Sequence, residues 1–534
     1  MSIKYRNTIE SIKQGNTSLG IEFGSTRIKA VLVDFHFETL ATGSYEWENT
    51  FENGFWTYSI VEIITGLQTA YHNLISEVER QYGVTIRKIG AIGISAMMHG
   101  YLALDKTGEL LVPFRTWRNT TTKNAAKKLT ELFKYNIPER WSIAHLYQAI
   151  LNEEPHLKRL GFITTLSGYI HWLLTGYKVI GIGDASGMFP IDESEKNYKA
   201  SMINLFDRMV LEGRYSWTLK SILPKVQSAG EQAGKLTEIG AKILDKSGNL
   251  QTGIPFCPPE GDAGTGMVAT NSIKKKSGNI SVGTSVFAMI VLEKELSKVH
   301  EEIDLVTTPT GNIVGMIHAN NCSSDINAWL RLFQEFSAAI GFNIDSDQLF
   351  NMMLNKALEA EADGGGLLSY GYLSGENITG LDNGRPLFVR SPESNFNLAN
   401  FMRTQIFTAF GALKIGMDIL MKEENIKIDS ILAHGGLFKT PIVGQKIISA
   451  ALNIPVSVMS TASEGGAWGT AILAKYMIEP QQGGLESFLN EKVFDEIYSK
   501  EIYPNDIDVQ GFEKFLERYK EGIIIEETAV NHLI

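Results

Sequence analysis

Two glycine-centred segments, one in each half of the chain, share the pattern that most constrains the fold. Residues 21–33 (IEFGSTRIKAVLV) and 280–292 (ISVGTSVFAMIVL) align without a gap. Each reads as an apolar run, a glycine, two hydroxyl residues and a second apolar run, which predicts a β-hairpin with a small-residue turn. One such hairpin is uninformative. Two of them predict duplicated domains, each contributing a turn whose N–H groups bind the same polyphosphate.

Length and composition set the class of protein. At 534 residues the chain is too long for one hydrophobic core, so two large domains are expected. With 44% apolar and 20% charged residues it resembles an ordinary globular enzyme. A net charge of -11 argues against a nucleic-acid or anionic-membrane surface. Two cysteines and no apolar run of about 20 residues exclude a disulfide framework and a membrane span, and favour a cytoplasmic location.

Helical and strand patterns alternate near the first hairpin. Apolar residues recur at helical spacing over 60–78, and a β-type run follows over 89–94. His99 comes shortly after that run, and open α/β sheets bind ligands at the carboxyl ends of their strands. A structural histidine explains the position equally well, so both interpretations stay open.

Two further polar segments suit a sugar. Residues 114–119 (FRTWRN) combine an aromatic platform with hydrogen-bond donors, although surface packing of Trp117 is an equal alternative. Residues 183–187 (GDASG) predict a glycine-flanked turn in which Asp184 accepts hydrogen bonds from two hydroxyls of a polyol.

The segment 258–266 (PPEGDAGTG) presents an acidic residue between glycines, where a substrate can approach it closely. By itself it would be an ordinary acidic turn. The two phosphate-loop candidates make Asp262 a candidate catalytic base.

In the second half, a helical run over 401–421 precedes a strand at 431–433 and then His434, Gly435 and Gly436. A helix from about residue 440, a β-type run over 455–459 and a helix opening at 464–471 follow. Glycines at these places predict either close packing or a nucleotide held against the backbone and a helix N-terminus.

Taken in order, these motifs resemble the FGGY carbohydrate kinases, relatives of the actin, Hsp70 and hexokinase ATPases. The resemblance covers residues 19–474. It implies an α/β fold of two ribonuclease-H-like domains around a central cleft, with residues 1–265 binding sugar and residues 266–534 binding nucleotide. Residues 95–100 and 184–187 are most similar to the sugar-binding segments of xylulokinases.

The same resemblance implies the site residues. Asp262 is the catalytic base, and the sugar contacts are Met98, His99, Trp117, Arg118, Asp184 and Asp262. The nucleotide contacts are Gly24, Ser25, Thr26, Lys29, Gly283, Thr284, Ser285, Gly435, Gly436, Lys439 and Gly466. The metal ligands are Glu22 and Asp262. Glu22 stands where the family usually has Asp, and Met97 where xylulokinases usually have Gln.

The expected activity is ATP-dependent phosphorylation, with Mg²⁺, of a hydroxyl of a ketopentose such as xylulose or ribulose. Three alternatives stay open: a kinase for another ketose or polyol, a non-catalytic sugar or nucleotide sensor, and an ATPase acting with a protein partner. The expected partners are a small sugar and ATP, without nucleic acid or membrane. The sequence leaves a monomer and a homodimer open.

Overall fold

Both predicted hairpins are present, and each lies inside a larger sheet. β1 (Ser18–Phe23) pairs antiparallel with β2 (Arg27–Val33), and β14 (Ser277–Val282) pairs antiparallel with β15 (Val286–Val291). Their turns differ by one residue, because Phe23 pairs with Ile28 whereas Val282 pairs directly with Val286. The ungapped alignment therefore hides a difference in strand register.

The computed structural model describes residues 3–458, 465–495 and 500–533, with side chains from residue 5. The chain divides into two units. The first comprises Met1–Ile273, Leu305–Val314 and Ser463–Glu496, and the second comprises Lys274–Asp304, Gly315–Ala462 and Ile497–Ile534. The functional boundary between residues 265 and 266 stays a prediction.

The first unit is built on a sheet with the strand order β13-β6-β1-β2-β3. β6 runs parallel to β1, so the hairpin and the strand that follows its crossover helix are neighbours. Besides β1 and β2, the strands of this unit are β3 (Thr39–Glu46), β4 (Thr50–Glu52), β5 (Phe55–Thr57), β6 (Ala91–Ala96), β7 (Leu102–Asp105), β8 (Leu160–Thr164), β9 (Val179–Gly181), β10 (Ile191–Asp192), β11 (Asn197–Tyr198), β12 (Lys225–Gln227) and β13 (Glu260–Gly261). Its helices are α1 (Ile3–Gln14), α2 (Ile60–Tyr82), α3 (Lys123–Phe133), α4 (Ser142–Leu151), α5 (Leu166–Thr175), α6 (Ile182–Ala185), α7 (Ala200–Phe206), α8 (Leu219–Ile222), α9 (Glu238–Leu244), α10 (Asp262–Ala269), α15 (Gly465–Ile478) and α16 (Gly484–Phe488).

The second sheet has the strand order β16-β17-β15-β14-β20-β21-β22. β20 runs parallel to β14, as β6 does to β1, so the duplication predicted from two short segments extends to the strand beside each hairpin. The remaining strands are β16 (Ile303–Thr307), β17 (Ile313–Ala319), β18 (Leu368–Tyr370), β19 (Leu387–Val389), β20 (Ser430–Gly435), β21 (Val456–Val458) and β22 (Lys500–Ile502). The helices are α11 (Ser324–Ala339), α12 (Ser346–Lys356), α13 (Leu398–Asp418), α14 (Val443–Leu452), α17 (Asp506–Glu521) and α18 (Ile523–His532).

Helix α2 shows how the first unit builds its core. The Ser59 side chain accepts a hydrogen bond from the Glu62 N–H and caps the helix, and Gly83 ends it with a left-handed φ of 65°. Its buried face packs on β3. The contact is so close there that a Cβ on Gly43 would lie 2.1 Å from the Ala70 carbonyl oxygen.

Most predicted elements of the second half are confirmed: α13, β20, α14 and β21 lie close to their expected positions, although Met459 falls outside the described residues. Cys257 and Cys322 are buried free thiols. Within the described ranges, no helix has the length and apolar character needed to cross a membrane.

Candidate active site

Asp262 lies at the first residue of α10, directly after the short strand β13 that runs beside β6. Its Oδ1 accepts hydrogen bonds from the N–H groups of Met98 (3.2 Å) and Ala263 (2.9 Å). Gly261 leaves room for the Met98 side chain, because a Cβ there would lie 2.2 Å from Met98 Cγ. Burial raises the pKa of the half-buried Asp262 to about 6, against the opposing effect of the two N–H groups. A carboxylate of this kind is suited to accept a proton near neutral pH.

Glu22 lies near the end of β1, and its carboxylate contacts the start of α15. The Ala467 N–H donates to Glu22 Oε2 over 3.2 Å, and a Cβ on Gly466 would lie 2.4 Å from Oε1. Burial and, secondarily, the negative charge of Asp262 raise the pKa of Glu22 to about 7. The charge of Asp262 thus acts on Glu22, the other predicted metal ligand, within the same unit.

Asp184 is fully buried, and one of its two carboxylate oxygens is already hydrogen-bonded within the protein. Oδ2 accepts hydrogen bonds from the hydroxyls of Thr165 (2.6 Å) and Ser167, whereas Oδ1 has no hydrogen-bond partner among the described residues. The predicted turn was wrong, because Asp184 lies in the short helix α6. The two hydroxyls expected from a polyol come from the chain, which leaves one oxygen for a ligand.

A second buried carboxyl, that of Glu260, supports the backbone around Asp184. Its Oε1 and Oε2 accept the N–H groups of Gly183 (3.2 Å) and Asp184 (3.0 Å). A Cβ on Gly181 or Gly183 would lie within 2.4 Å of these oxygens, so the glycines make room for the carboxyl. Burial first, then the charge of Asp184, raise the pKa of Glu260 to about 8, and burial raises that of Asp184 to about 7.

His99 is buried three residues after β6, with a left-handed φ of 71°. Its Nδ1 lies 3.3 Å from the Gly187 carbonyl oxygen, and its ring lies parallel to that of Trp141, with centroids 6.5 Å apart. Burial, with the nearby Arg140 charge, holds its pKa well below the ordinary value, so the ring is neutral at physiological pH. The strained backbone of a buried histidine favours a functional constraint at this position.

Arg118 contacts residues other than those gathered around Asp262. The Arg118 guanidinium lies 3.9 Å above the Trp56 ring and donates to Asn49 Oδ1 over 3.0 Å. Trp117 is 40% exposed. Arg115, two residues before Trp117, pairs through its backbone with Tyr101, which is two residues after His99. The sugar contacts assigned to Trp117 and Arg118 stay predictions.

The two glycine–hydroxyl turns have exposed tips. Ser25 and Thr26 are exposed in the first turn and Gly283 and Thr284 in the second. Lys29 is the partner of Glu22 across the β1–β2 ladder. In the second turn, the carbonyls of Gly283 and Thr284 accept the N–H groups of Ser323 (3.2 Å) and Cys322 (2.9 Å).

Two of the remaining predicted nucleotide contacts, Gly435 and Gly436, are glycines in different surroundings. Gly435 has a φ of 117°, and a Cβ there would lie 2.0 Å from the Val282 carbonyl oxygen, so close strand packing accounts for it. Gly436 has no atom within 4 Å of a built Cβ and is exposed, as is Lys439. Open backbone at Gly436 is compatible with a bound nucleotide.

Across the described ranges, no group of three or more His, Cys, Asp or Glu side chains is arranged to hold a metal ion. The pair Glu22 and Asp262 nevertheless suits Mg²⁺, which prefers oxygen ligands and is commonly held by one or two carboxylates together with water and substrate phosphates.

Two domain models of one known protein family match successive parts of the chain. The family model described as the FGGY family of carbohydrate kinases, N-terminal domain, matches residues 17–269, and the C-terminal domain model of the same family matches residues 278–478. The chain belongs to the FGGY family of carbohydrate kinases. Its expected fold class, two ribonuclease-H-like α/β domains, and its expected phosphotransferase activity are thereby confirmed. Members of the family use ATP as co-substrate.

The names of similar proteins include more than one substrate. A xylulose kinase of Haemophilus influenzae is 25% identical over 538 residues, covering 94% of this chain and 98% of that protein. A ligand-bound xylulose kinase structure from Lactobacillus acidophilus has a TM-score of 0.78 and 18% identity, covering 97% of this chain and 99% of that one. A gluconate kinase structure from the same organism has a TM-score of 0.77 and 18% identity, covering 96% and 97%. The match to the two structures is a match of fold.

Sequence reasoning missed the residues that hydrogen-bond to Asp184 and hold it in place. Thr165 and Ser167, which bind Asp184, occur where α5 begins and look like ordinary helix-capping residues. Glu260 stands two residues before Asp262 but shows no spacing that links it to Asp184. A possible signal was the glycine pair at 181 and 183, since glycines close together often mark a place where another group approaches the backbone.

Proposed function

We propose that this carbohydrate kinase transfers the terminal phosphoryl group of ATP to a hydroxyl of a ketopentose such as xylulose or ribulose. The observation that carries the proposal is the hydrogen bond from the Met98 N–H to Asp262, the proposed base. Close by, a Cβ on Gly261 would lie 2.2 Å from Met98 Cγ and 3.4 Å from the unpartnered Oδ1 of Asp184. The xylulose kinase that is 25% identical over nearly the full length supports the choice of a ketopentose.

In this proposal Asp262 removes the proton from the attacking sugar hydroxyl. As that proton moves to the Asp262 carboxylate, a bond forms between the sugar oxygen and the terminal phosphorus, and the bond from phosphorus to the ADP oxygen breaks. Its pKa of about 6 leaves the carboxylate ionised at neutral pH yet more basic than an ordinary aspartate. Asp184 Oδ1 and the neutral His99 ring orient the sugar by hydrogen bonding.

The backbone turns at Gly24–Thr26 and Gly283–Ser285 bind phosphate oxygens in the proposed reaction. Glu22 and Asp262 would hold Mg²⁺ together with water and phosphate. When bound, Mg²⁺ supplies positive charge that offsets the charge of the phosphates. Burial, followed by the negative charge of Asp262, raises the pKa of Glu22, and a bound cation would offset that negative charge.

A substrate panel tests the proposal. ADP release would be measured with D- and L-xylulose, D- and L-ribulose, gluconate and glycerol, followed by identification of the phosphorylated hydroxyl by NMR. A ketopentose is expected to have the highest kcat/KM. If gluconate or glycerol has the highest value, the ketopentose assignment is wrong, although the chain remains a carbohydrate kinase.

A further inference from the structure

All three carbonyl oxygens of the first phosphate turn are held by two aromatic residues. The indole N–H of Trp47 donates to the Gly24 oxygen over 2.7 Å, and its backbone N–H donates to the Thr26 oxygen over 3.1 Å. The Tyr58 hydroxyl donates to the Ser25 oxygen over 2.6 Å. Two of these three bonds therefore depend on side chains that belong to neither hairpin strand.

Because the peptide unit is planar, the hydrogen bonds to these carbonyl oxygens also fix the direction of the N–H groups in the turn. In a trans peptide the N–H points opposite to the C=O of the preceding residue. Because the oxygens of Gly24 and Ser25 point at the aromatic pair, the N–H groups of Ser25 and Thr26 point away from it. Within the described part of the chain, these two N–H groups donate to no other atom. They form a pair of adjacent donors suited to an anion.

The aromatic pair is a rigid support. The Trp47 and Tyr58 rings stack with centroids 4.1 Å apart, and only 3% and 1% of these residues is exposed. The Trp47 ring also meets Phe23 of β1 edge-on. Burial raises the pKa of Tyr58 to about 12, so its hydroxyl stays a neutral donor under all working conditions. A support packed this tightly limits the rotation of the peptide units that it holds.

We propose that Trp47 and Tyr58 are positioning residues for phosphoryl transfer, which hold the Ser25 and Thr26 N–H groups toward the phosphate oxygens of ATP. The inference rests on the proposed function, in that the Gly24–Thr26 turn binds ATP. The second turn is held by the backbone N–H groups of Cys322 and Ser323 and by the Ser323 hydroxyl, which donates to the Gly283 oxygen. The first turn differs in that its two side-chain donors belong to a stacked, buried aromatic pair, and each donor can be removed by a single substitution.

The test uses Tyr58→Phe, which removes one hydroxyl and keeps the ring, and Trp47→Phe, which removes one indole N–H. Tyr82→Phe is the matched control, because Tyr82 also donates its hydroxyl to a backbone carbonyl, that of Leu40, in the same unit. For each full-length variant, KM for ATP and for sugar, kcat, Tm and the affinities for ATP and adenosine are measured.

Tyr58→Phe and Trp47→Phe are each expected to lower kcat/KM for ATP by about three- to tenfold, the effect of one lost hydrogen bond. KM for the sugar and affinity for adenosine should stay at wild-type values, because neither depends on the turn. A purely structural role would instead reduce the fraction of active enzyme, lowering kcat without changing KM for ATP. Tyr82→Phe should retain the wild-type kinetics.

The proposal is overturned if both variants keep the wild-type kcat/KM for ATP, or if ATP and adenosine binding weaken equally. If Trp47→Phe fails to fold, Tyr58→Phe alone decides. The failure of the proposed function would look different: the wild-type protein itself would phosphorylate no ketopentose. The comparison of ATP with adenosine affinity would still test whether the aromatic pair positions the turn.

Discussion

The backbone N–H of Met98 donates a hydrogen bond to Asp262 Oδ1 over 3.2 Å, although 164 positions separate the two residues. The bond forms because β13 lies parallel to β6, which brings the start of α10 next to the segment that follows β6. The hydrogen bond orients the Asp262 carboxylate from residues 95–100, the segment predicted to bind sugar. Any movement of the Met98–His99 segment therefore moves the proposed base as well.

Asp262→Asn should retain the fold, because the amide oxygen still accepts the Met98 N–H, yet lose the proton acceptor. We expect kcat/KM for the sugar to fall by about 10²–10⁴-fold with little change in Tm. Asp192→Asn, at the last residue of β10, is the control and should be active. A coupled assay of ADP release measures the turnover of both variants. Near-normal turnover by Asp262→Asn would exclude Asp262 as the base.

The pH dependence of activity should follow the ionisation of Asp262. Because burial raises its pKa to about 6, the carboxylate gains a proton as the pH falls through that value and can no longer act as a base. We expect kcat/KM to fall by about tenfold per pH unit on the acid side of that value. A profile that stays flat down to about pH 4, the range of an unperturbed aspartate, would contradict the assignment.

Glu22→Gln should weaken the response to Mg²⁺ and leave the fold intact. The Gln side-chain oxygen can still accept the Ala467 N–H, so the contact with α15 is kept. The lost negative charge should raise the Mg²⁺ concentration for half-maximal activity by about tenfold or more, the loss of one charged ligand. Titration of Mg²⁺ at saturating ATP measures this. An unchanged midpoint would remove Glu22 from the metal site.

The adjacent glycines 435 and 436 should respond differently to alanine. Gly435→Ala places a Cβ 2.0 Å from the Val282 oxygen at a positive φ, so we expect a loss of about 1–3 kcal/mol of stability. Gly436→Ala meets open space and should keep the wild-type Tm, but raise KM for ATP if the nucleotide lies against this backbone. Thermal melting and ATP kinetics on both variants separate packing from binding. Equal Tm values would contradict the packing explanation of Gly435.

The buried carboxyl of Glu260 should make the first unit less stable at higher pH. Because burial raises its pKa from 4.5 to about 8, the folded chain holds a proton that the unfolded chain has released. Its contribution to stability is present below about pH 4.5 and is lost as the pH rises through about 8. Glu260→Gln removes this proton linkage. Its Tm should therefore fall less between about pH 5 and 8, by a few degrees.

A control for this effect is Glu238→Gln, since Glu238 is exposed and pairs with Lys242 at the surface. Scanning calorimetry of both variants and the wild type over the same pH range gives the comparison. If wild type and Glu260→Gln lose Tm in parallel, the buried carboxyl is not the source of the pH dependence.

The sequence by itself determined the local elements and the order of the motifs. The two hairpins, helix α2 and the strand before His99 are visible because apolar spacing, glycines and capping residues act within a few positions of each other. Asp262 stood out for the same reason, as an acidic residue between glycines. The duplication of the hairpins was sufficient to predict two similar sheets, and each pairs its hairpin with a parallel strand.

Only the tertiary structure decided which groups meet. Asp184 acquires its two hydroxyl donors from the start of α5, and Glu260 fits against the backbone of Gly183. Trp47, directly after β3, and Tyr58, before α2, hold the first turn. These contacts join residues 17 to 77 positions apart, and no local periodicity predicts them. Hydrogen bonding and desolvation depend on the atoms that surround a side chain after folding, so the ionisation and role of a buried group follow from packing rather than from its neighbours in sequence.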